Sequence, residues 1–422
     1  MKIVALCIFL LTYILLLSLP KFRAYVAIAA AAVFVILGIL PVSDAFAAVD
    51  WNVIMMIAGT MGTVSLLIDS RMPARLADII MGWASNVKWV IVLLSLFAGI
   101  ISAFVDNVAT VLMVAPVALA ICRKLGMSPV PVIIAIAVSS NLQGAATLVG
   151  DTTSILLGGH IGMDFMDFFF FRGKVSLFWV VELGALASAL ILLWLFRGEN
   201  RKVDSMSLTP VEDYFPSVLM ILTVVLLIAA SFIPGKPSVT NGVICMTLFL
   251  IGLIRDMIRK KDFSPARKHL AEVDLTTLLL LAGLFVVIAG IQRVGLIDDI
   301  SRLFVSLASD NLFLIYTLLV WASVIISAFI DNIPYVATML PVVSGIASMM
   351  GVEPYILHFG VIIGATLGGN LTPVGASANI AGIGILRKEG YEVSVAEFSR
   401  IGVPFTLTAV CTGYLLIWLI WA

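Results

Sequence analysis

Ser102-Ala103-Phe104-Val105-Asp106-Asn107-Val108-Ala109 decides how the rest of the chain is read. The stretch sets an aspartate and an asparagine inside a long apolar run, 89–122. It returns as Ser327-Ala328-Phe329-Ile330-Asp331-Asn332-Ile333-Pro334 inside a second run, 312–350. A carboxylate at bilayer depth costs roughly 2.5–3.5 kcal/mol on insertion scales, so it marks a pathway or a coordination site. The same local sequence bearing that cost twice points to one duplicated device.

Composition supports the bilayer. The 422 residues are 62% hydrophobic and 12% charged, with mean hydropathy +1.16. Soluble domains run at about 45–50% apolar and 25% charged, so a polytopic membrane protein in lipid is expected. Net charge is zero, which points to no nucleic-acid partner. Cys7, Cys122, Cys245 and Cys411 lie far apart and form no metal-binding spacing, so they read as soft packing. The first run, Val4 to Leu19, has no small-x-small cleavage site before Pro20-Lys21-Phe22-Arg23. It is expected to stay as a span.

Each half of 89–122 is shorter than the roughly 20 residues a straight span needs. A re-entrant hairpin with its tip at Asp106-Asn107 is expected, Asn107 capping the second half-helix. The next segment, 129–159, is apolar at its ends. Its middle, Gly144-Ala-Ala-Thr147-Leu-Val-Gly150-Asp151-Thr152-Thr153-Ser154, is small and polar. That pattern suits a discontinuous helix whose unwound centre faces protein or water. Spans are expected near 3–20, 24–40, 51–69 and 175–196, with an amphipathic stretch at 71–86. A charged linker follows, and the series restarts near 215–233, 239–256 and 274–292. An amphipathic stretch at 294–309, a hairpin at 312–350, a broken helix at 356–386 and a last span at 402–421 complete it. The second break reads Gly368-Gly-Asn370-Leu-Thr372-Pro373-Val-Gly375-Ala-Ser377-Ala-Asn379.

Repeats are the first thing to seek. Asp106 and Asp331, Pro116 and Pro341, Thr147 and Thr372, Gly150 and Gly375, and Ile155 and Ile380 all stand 225 positions apart. Five crossings per half invert the second copy, a signature of secondary transporters. Loop charge agrees: with both termini outside, 19 of the 25 basic residues fall on the inner side, the bias that sets orientation. The expected fold is therefore an all-α polytopic protein of two inverted repeats. Each holds five transmembrane helices, one re-entrant hairpin and a discontinuous helix. The repeats are 1–199 and 214–422, joined by a cytoplasmic linker at 200–213, and the setting is the cell's inner membrane.

Hairpins entering from opposite sides would bring their tips to the two breaks. The candidate ion or substrate contacts are Asp106, Asn107, Thr147, Gly150, Asp151, Asp331, Asn332, Thr372, Gly375, Ser377 and Asn379. Hard oxygen ligands suit Na⁺ or a proton, with Na⁺ placed at Asp106, Asn107, Asp331 and Asn332. Half-helix N-termini suit an anion. Local capping is the competing reading for each Asp and Asn, hydroxyl back-bonding for the threonines. Asp151 has the neutral Ala376 as its mate, which could place one extra cation or proton in the first half. No lysine or arginine is expected at the centre. Glu182 reads as a proton relay or an interfacial residue, His358 as a pH-sensing or a capping residue.

Ser102–Pro116, Gly144–Ser154, Ser327–Pro341 and Gly368–Asn379 resemble the ion transporter superfamily. The resembling branch holds arsenite-permease (ArsB)-like proteins, the P protein, NhaD-type antiporters and citrate carriers. The resemblance covers essentially the whole chain. It implies a scaffold and a moving transport domain with both hairpins and both broken helices, working as an elevator. It also implies ligand and ion contacts at Asp106, Asn107, Thr147, Asp151, Asp331, Asn332, Thr372, Ser377 and Asn379, and it allows a homodimer.

A secondary active transporter of a small anion or oxyanion, coupled to Na⁺ or H⁺, is the leading expectation. A Na⁺/H⁺ antiporter, an arsenite or antimonite efflux permease and an anion channel are the alternatives. The chain has no HExxH, no GxSxG and no nucleotide-binding glycine loop, so an enzyme is not expected, nor a cofactor beyond the coupling ion.

Overall fold

The computed structural model describes residues 1–202, 208–308 and 311–422. Positions 203–207 of the expected linker, and 309 at the end of the expected amphipathic stretch, lie outside the described residues.

The first half runs α1 (Lys2–Ser18), α2 (Arg23–Ile36), α3 (Val42–Ala48), α4 (Trp51–Asp69) and α5 (Met72–Met81). It continues with α6 (Val87–Ser102), α7 (Asn107–Leu125), α8 (Val130–Gly144), α9 (Thr152–Ile161) and α10 (Leu177–Leu195). The second half runs α11 (Phe215–Ser231), α12 (Thr240–Lys260), α13 (Ser264–Glu272), α14 (Leu275–Arg293) and α15 (Leu296–Ala308). It ends with α16 (Leu312–Ser327), α17 (Asn332–Met350), α18 (Tyr355–Gly368), α19 (Ser377–Lys388) and α20 (Val395–Trp421). Every helix has its mate ten places on. A two-residue hairpin, β1 (Phe170–Phe171) against β2 (Lys174–Val175), is the one sheet among the described residues.

Matched caps start and stop these helices. Asn86 and Asn311 accept from Trp89 and Leu314 at the starts of α6 and α16 (3.2 and 3.1 Å). Asp50 and Asp274 accept from Val53 and Thr277 at the starts of α4 and α14, both at 3.1 Å. Such side chains satisfy amide groups that a helix start leaves without partners. Gly126 and Gly351 end α7 and α17 in the left-handed conformation, with φ of 61° and 65°, where a side chain would be strained.

Packing repeats the same symmetry. α4 lies on α12 as α14 lies on α2, and α6 lies on α8 as α16 lies on α18. α10 and α20, each the mate of the other, pack together. Two groups of helices result. The hairpins, the broken helices, α10 and α20 form one; α1, α2, α4 and α11–α14 form the other. They meet where α4 touches α7 and α9 and where α14 touches α17. Seven helices among the described residues are long and apolar enough to cross a bilayer, or up to nine if each of two bent pairs is one span. The shorter apolar helices include the first arm of hairpin one and the first arms of both broken helices, while the first arm of hairpin two forms a bent pair with α15.

Three features go beyond the sequence reading. α1 and α2 meet at a bend of 114° over Pro20–Phe22. A charged helix, α13, fills the connection between the spans expected at 239–256 and 274–292, where the composition carries no spanning signal. The linker is pinned: Thr209 donates twice to Asp78, at 2.7 and 2.6 Å. Arg255 (2.5 Å) and Arg259 (2.6 Å) grip Asp213. Burial raises the Asp213 carboxyl, and the two guanidinium groups outweigh it, holding the group below its ordinary range.

Candidate functional site

The two hairpin tips and the two helix breaks converge on one cavity of about 500 Å³. Four helix starts line it: α7 with Asp106–Ala109, α9 with Asp151 and Thr152, α17 with Asp331–Ile333, and α19 with Ser377. From there it follows α4 past Met61, Ser65 and Ile68 to Glu272, Asp274 and Thr277 at the start of α14. Five carboxylates line it, and no lysine or arginine does among the described residues. A second cavity of about 520 Å³ lies at the other end of α4, between Asp50, His160, Gln292 and Ser344, and stops short of the tips. A pocket of about 10 Å³ sits between Thr60, Asp106, Asp151 and Thr152, room for about one water-sized species.

Each tip is held by its own aspartate. Asp106 Oδ2 accepts from the amides of Val108 (3.0 Å) and Ala109 (3.1 Å). The cap is therefore Asp106 and not Asn107. A carboxylate that directly precedes the first helical residue reaches the free amides, while Asn107 is already in the helix and turns inward. Its amide donates to Asn141 Oδ1 (3.0 Å). Asn141 donates on to the Thr366 carbonyl (2.7 Å) and Asn370 Oδ1 (3.1 Å), so α8 and α18 are joined across the repeat axis. Asn332 is likewise buried, accepting from Ser327.

The breaks are tied to the hairpins in matched pairs. Thr147 donates to the Ala103 carbonyl, and Thr372 to that of Ala328 (2.5 Å for the second). Neither threonine lines the cavity, so both fasten a break to the arm beside it. A Cβ at Gly150 would stand 2.5–2.8 Å from the carbonyl oxygens of Gly144, Ser102 and Ala103. At Gly375 it would stand 2.6–2.9 Å from those of Gly369, Ala328 and Ser327. Backbone passes backbone at both places, and only hydrogen fits. Asn379 donates to Gly369 (3.1 Å) and Thr372 (3.2 Å) and holds the second break closed from inside.

The halves differ at the carboxylates. Asp151 accepts from Thr153 (2.9 Å), which meets Thr366 at 3.0 Å; its mate Ala376 offers nothing. Asp331 gives one oxygen to the Ile333 amide (3.1 Å) and the other to Arg23 (2.8 Å). The expectation of no basic residue at the centre is thus corrected. The α1–α2 elbow carries Arg23 inward, which a straight-span reading of 24–40 leaves at the loop. Ser377 is 3.5 Å from the same carboxylate oxygen. His358 is buried between the Pro354 carbonyl (2.9 Å) and Ser344 (3.2 Å), away from the cavity lining. Glu182 is half-buried on α10 and does not line the cavity. The sequence reading missed Asp274 and Glu272 as cavity groups and Arg23 as the partner of Asp331. It also missed Thr366, which the 225-residue offset from Asn141 would have found.

Residues 13–361 match the family model described as citrate transporter. The chain belongs to the citrate transporter family. A 46 kDa membrane protein of Mycobacterium leprae is 32% identical over 99% of both chains. An uncharacterised transporter of Mycobacterium tuberculosis is 33% identical over the same share of each. The human P protein is 27% identical, over 78% of this chain and 48% of its own length. Among solved structures, the YdaH transporter of Alcanivorax borkumensis, described as having an unusual topology, superposes with TM-score 0.59. It is 14% identical, over 91% of this chain and 86% of its own. MtrF of Neisseria gonorrhoeae, described with a class of antimetabolite efflux pumps, gives 0.55 at 15% identity, over 87% and 80%. At that identity the two share the fold. This citrate transporter family member is a multi-pass membrane transporter and not an enzyme.

Proposed function

We propose that the protein moves a small anion or oxyanion across the cytoplasmic membrane, coupled to Na⁺ or H⁺. The convergence of four helix N-termini with Asp106, Asp151 and Asp331 on one cavity carries this reading. Helix N-termini favour an anion. Carboxylates out of water need cations or protons. A site with both suits an anion that enters with a cation, each offsetting the other's charge. The family description, citrate transporter, supports a carboxylate cargo. A bare tricarboxylate would meet five carboxylates here, so its charge must be offset by a bound cation. Asp106 and Asp151 around the smallest pocket are the first place for the coupling ion.

The two groups of helices support an elevator cycle in which the hairpin group slides against the other. The main cavity extends along α4 toward Glu272 at the end of α13. The loop charges assign that side to the cytoplasm, so this arrangement corresponds to the inward-facing state.

Proteoliposomes with Na⁺ and pH gradients imposed separately test the reading, with citrate supplied alone and with Mg²⁺. Gradient-driven citrate or oxyanion uptake supports it. Na⁺-for-H⁺ exchange with no other solute supports the antiporter instead, which the five lining carboxylates favour. Large unitary currents would overturn both.

A further inference from the structure

Arg23 is the basic side chain that touches a site carboxylate in this structure, and it does so from outside the hairpin group. It starts α2, which packs on α14, whereas Asp331 is the tip of the α16–α17 hairpin. The pair is close, 2.8 Å, and mostly out of solvent, with side-chain exposures of 24% and 15%. A second contact joins the same helix pair to the same hairpin: the Tyr13 hydroxyl, in the second half of α1, donates to the Pro334 carbonyl at 2.7 Å. Arg23 Nε also bonds the Leu16 carbonyl (3.3 Å), which fixes the side chain across the elbow. None of this has a counterpart in the other half. α11, the mate of α1, has no tyrosine, α12, the mate of α2, begins at Thr240 with no arginine in its first turns, and Asp106 has no arginine or lysine partner among the described residues.

We propose that Arg23 is a built-in counter-cation for Asp331, standing where hairpin one would take its coupling cation. The physical case is charge balance. Two equivalent carboxylates at the centre of a membrane protein each need a positive partner. One receives it from the chain itself, and the other must draw it from solution. Hairpin two therefore takes up a cation or a proton only when its tip has parted from α2, since a guanidinium already holds the oxygen that a cation would use. The number of cations bound in this conformation is set by Asp106 and Asp151 alone. A guanidinium does not release its proton, so this partner is lost only by movement, not by pH.

The proposal rests on the reading of the tips as cation sites, and equilibrium ²²Na⁺ binding with parallel pH-stat proton uptake on the purified full chain separates the two. Arg23→Gln is expected to gain one bound Na⁺ or H⁺ over the unsubstituted protein, and Arg23→Lys to keep the original number. The gain is expected to vanish in Arg23→Gln/Asp331→Asn. No gain in Arg23→Gln, while Asp106→Asn loses its cation, overturns the role of Arg23 alone. No change in Asp106→Asn, with normal folding, overturns the underlying reading. If Arg23→Gln leaves too little folded protein, the double variant decides, because it has no unpaired carboxylate. Binding equal to the original supports the proposal. One cation fewer shows that Asp331 held a cation beside Arg23 and overturns it.

Discussion

At the tip of hairpin one, Asp106 caps its helix with one oxygen and leaves the other facing the cavity and Asp151. At the tip of hairpin two, Asp331 caps its helix with one oxygen and gives the other to Arg23. Local sequence, cap and helix are shared; the electrostatic surroundings are not. The comparison shows that a duplicated element keeps its backbone device and differentiates through side chains supplied by other helices. Matched ties hold the backbone in both copies, Thr147 to Ala103 and Thr372 to Ala328. The mismatches, Asp151 against Ala376 and Arg23 at the start of α2 against Thr240 at the start of α12, decide the charge.

The largest expected effects test whether both tips are needed. Asp106→Asn and Asp331→Asn should each abolish coupled uptake in proteoliposomes while the protein still accumulates. Full activity in both would reduce the tips to helix caps. The comparison sharpens in the melting curves of the purified variants. Asp331→Asn should melt distinctly lower than Asp106→Asn, because it alone leaves a partly buried arginine without its partner.

Next in size are the two glycines. Gly150→Ala and Gly375→Ala each drive a methyl into three carbonyl oxygens, and overpacking of this kind costs about 1–3 kcal/mol or more. Equal losses of thermal stability are expected. A loss at one position only would show that the breaks are not built alike.

Asp151→Asn should weaken the apparent affinity for the coupling cation at least tenfold, about 1.4 kcal/mol, whereas Ala376→Ser in the other half should change it less than twofold. Ion titrations of transport rate separate the two, and matching effects would refute the assigned asymmetry. Smallest are Thr147→Val and Thr372→Val. Each removes one hydroxyl tie, at about 1 kcal/mol, and the two shifts in melting temperature should agree.

Much of this was legible in the residues because a bilayer limits the choices. Backbone groups in lipid must be paired within helices, so apolar runs become helices, and runs too long or too short become hairpins and broken spans. The 225-residue offset then carries each reading from one half to the other, and it holds down to the caps Asn86 and Asn311 and the glycines Gly126 and Gly351. The cap falls on Asp106 where the sequence points to Asn107, because composition does not say which of two adjacent cap-forming residues stands just outside the helix. α13 and the pinned linker were missed because their order comes from ion pairs with distant helices, for which local hydropathy has no signal.

By itself the sequence determined the membrane setting, the duplicated inverted plan, and the tips and breaks as the candidate centre. These follow from local polarity and from repetition along one chain. Only the tertiary structure decided which carboxylates share a cavity, that Thr147 and Thr372 are fasteners and not lining groups, and that Arg23 reaches Asp331. The last pair is 308 residues apart in the chain. Pro20 marks the elbow between α1 and α2 in the sequence, but only the packing of distant helices decides that the elbow's arginine meets the tip of hairpin two.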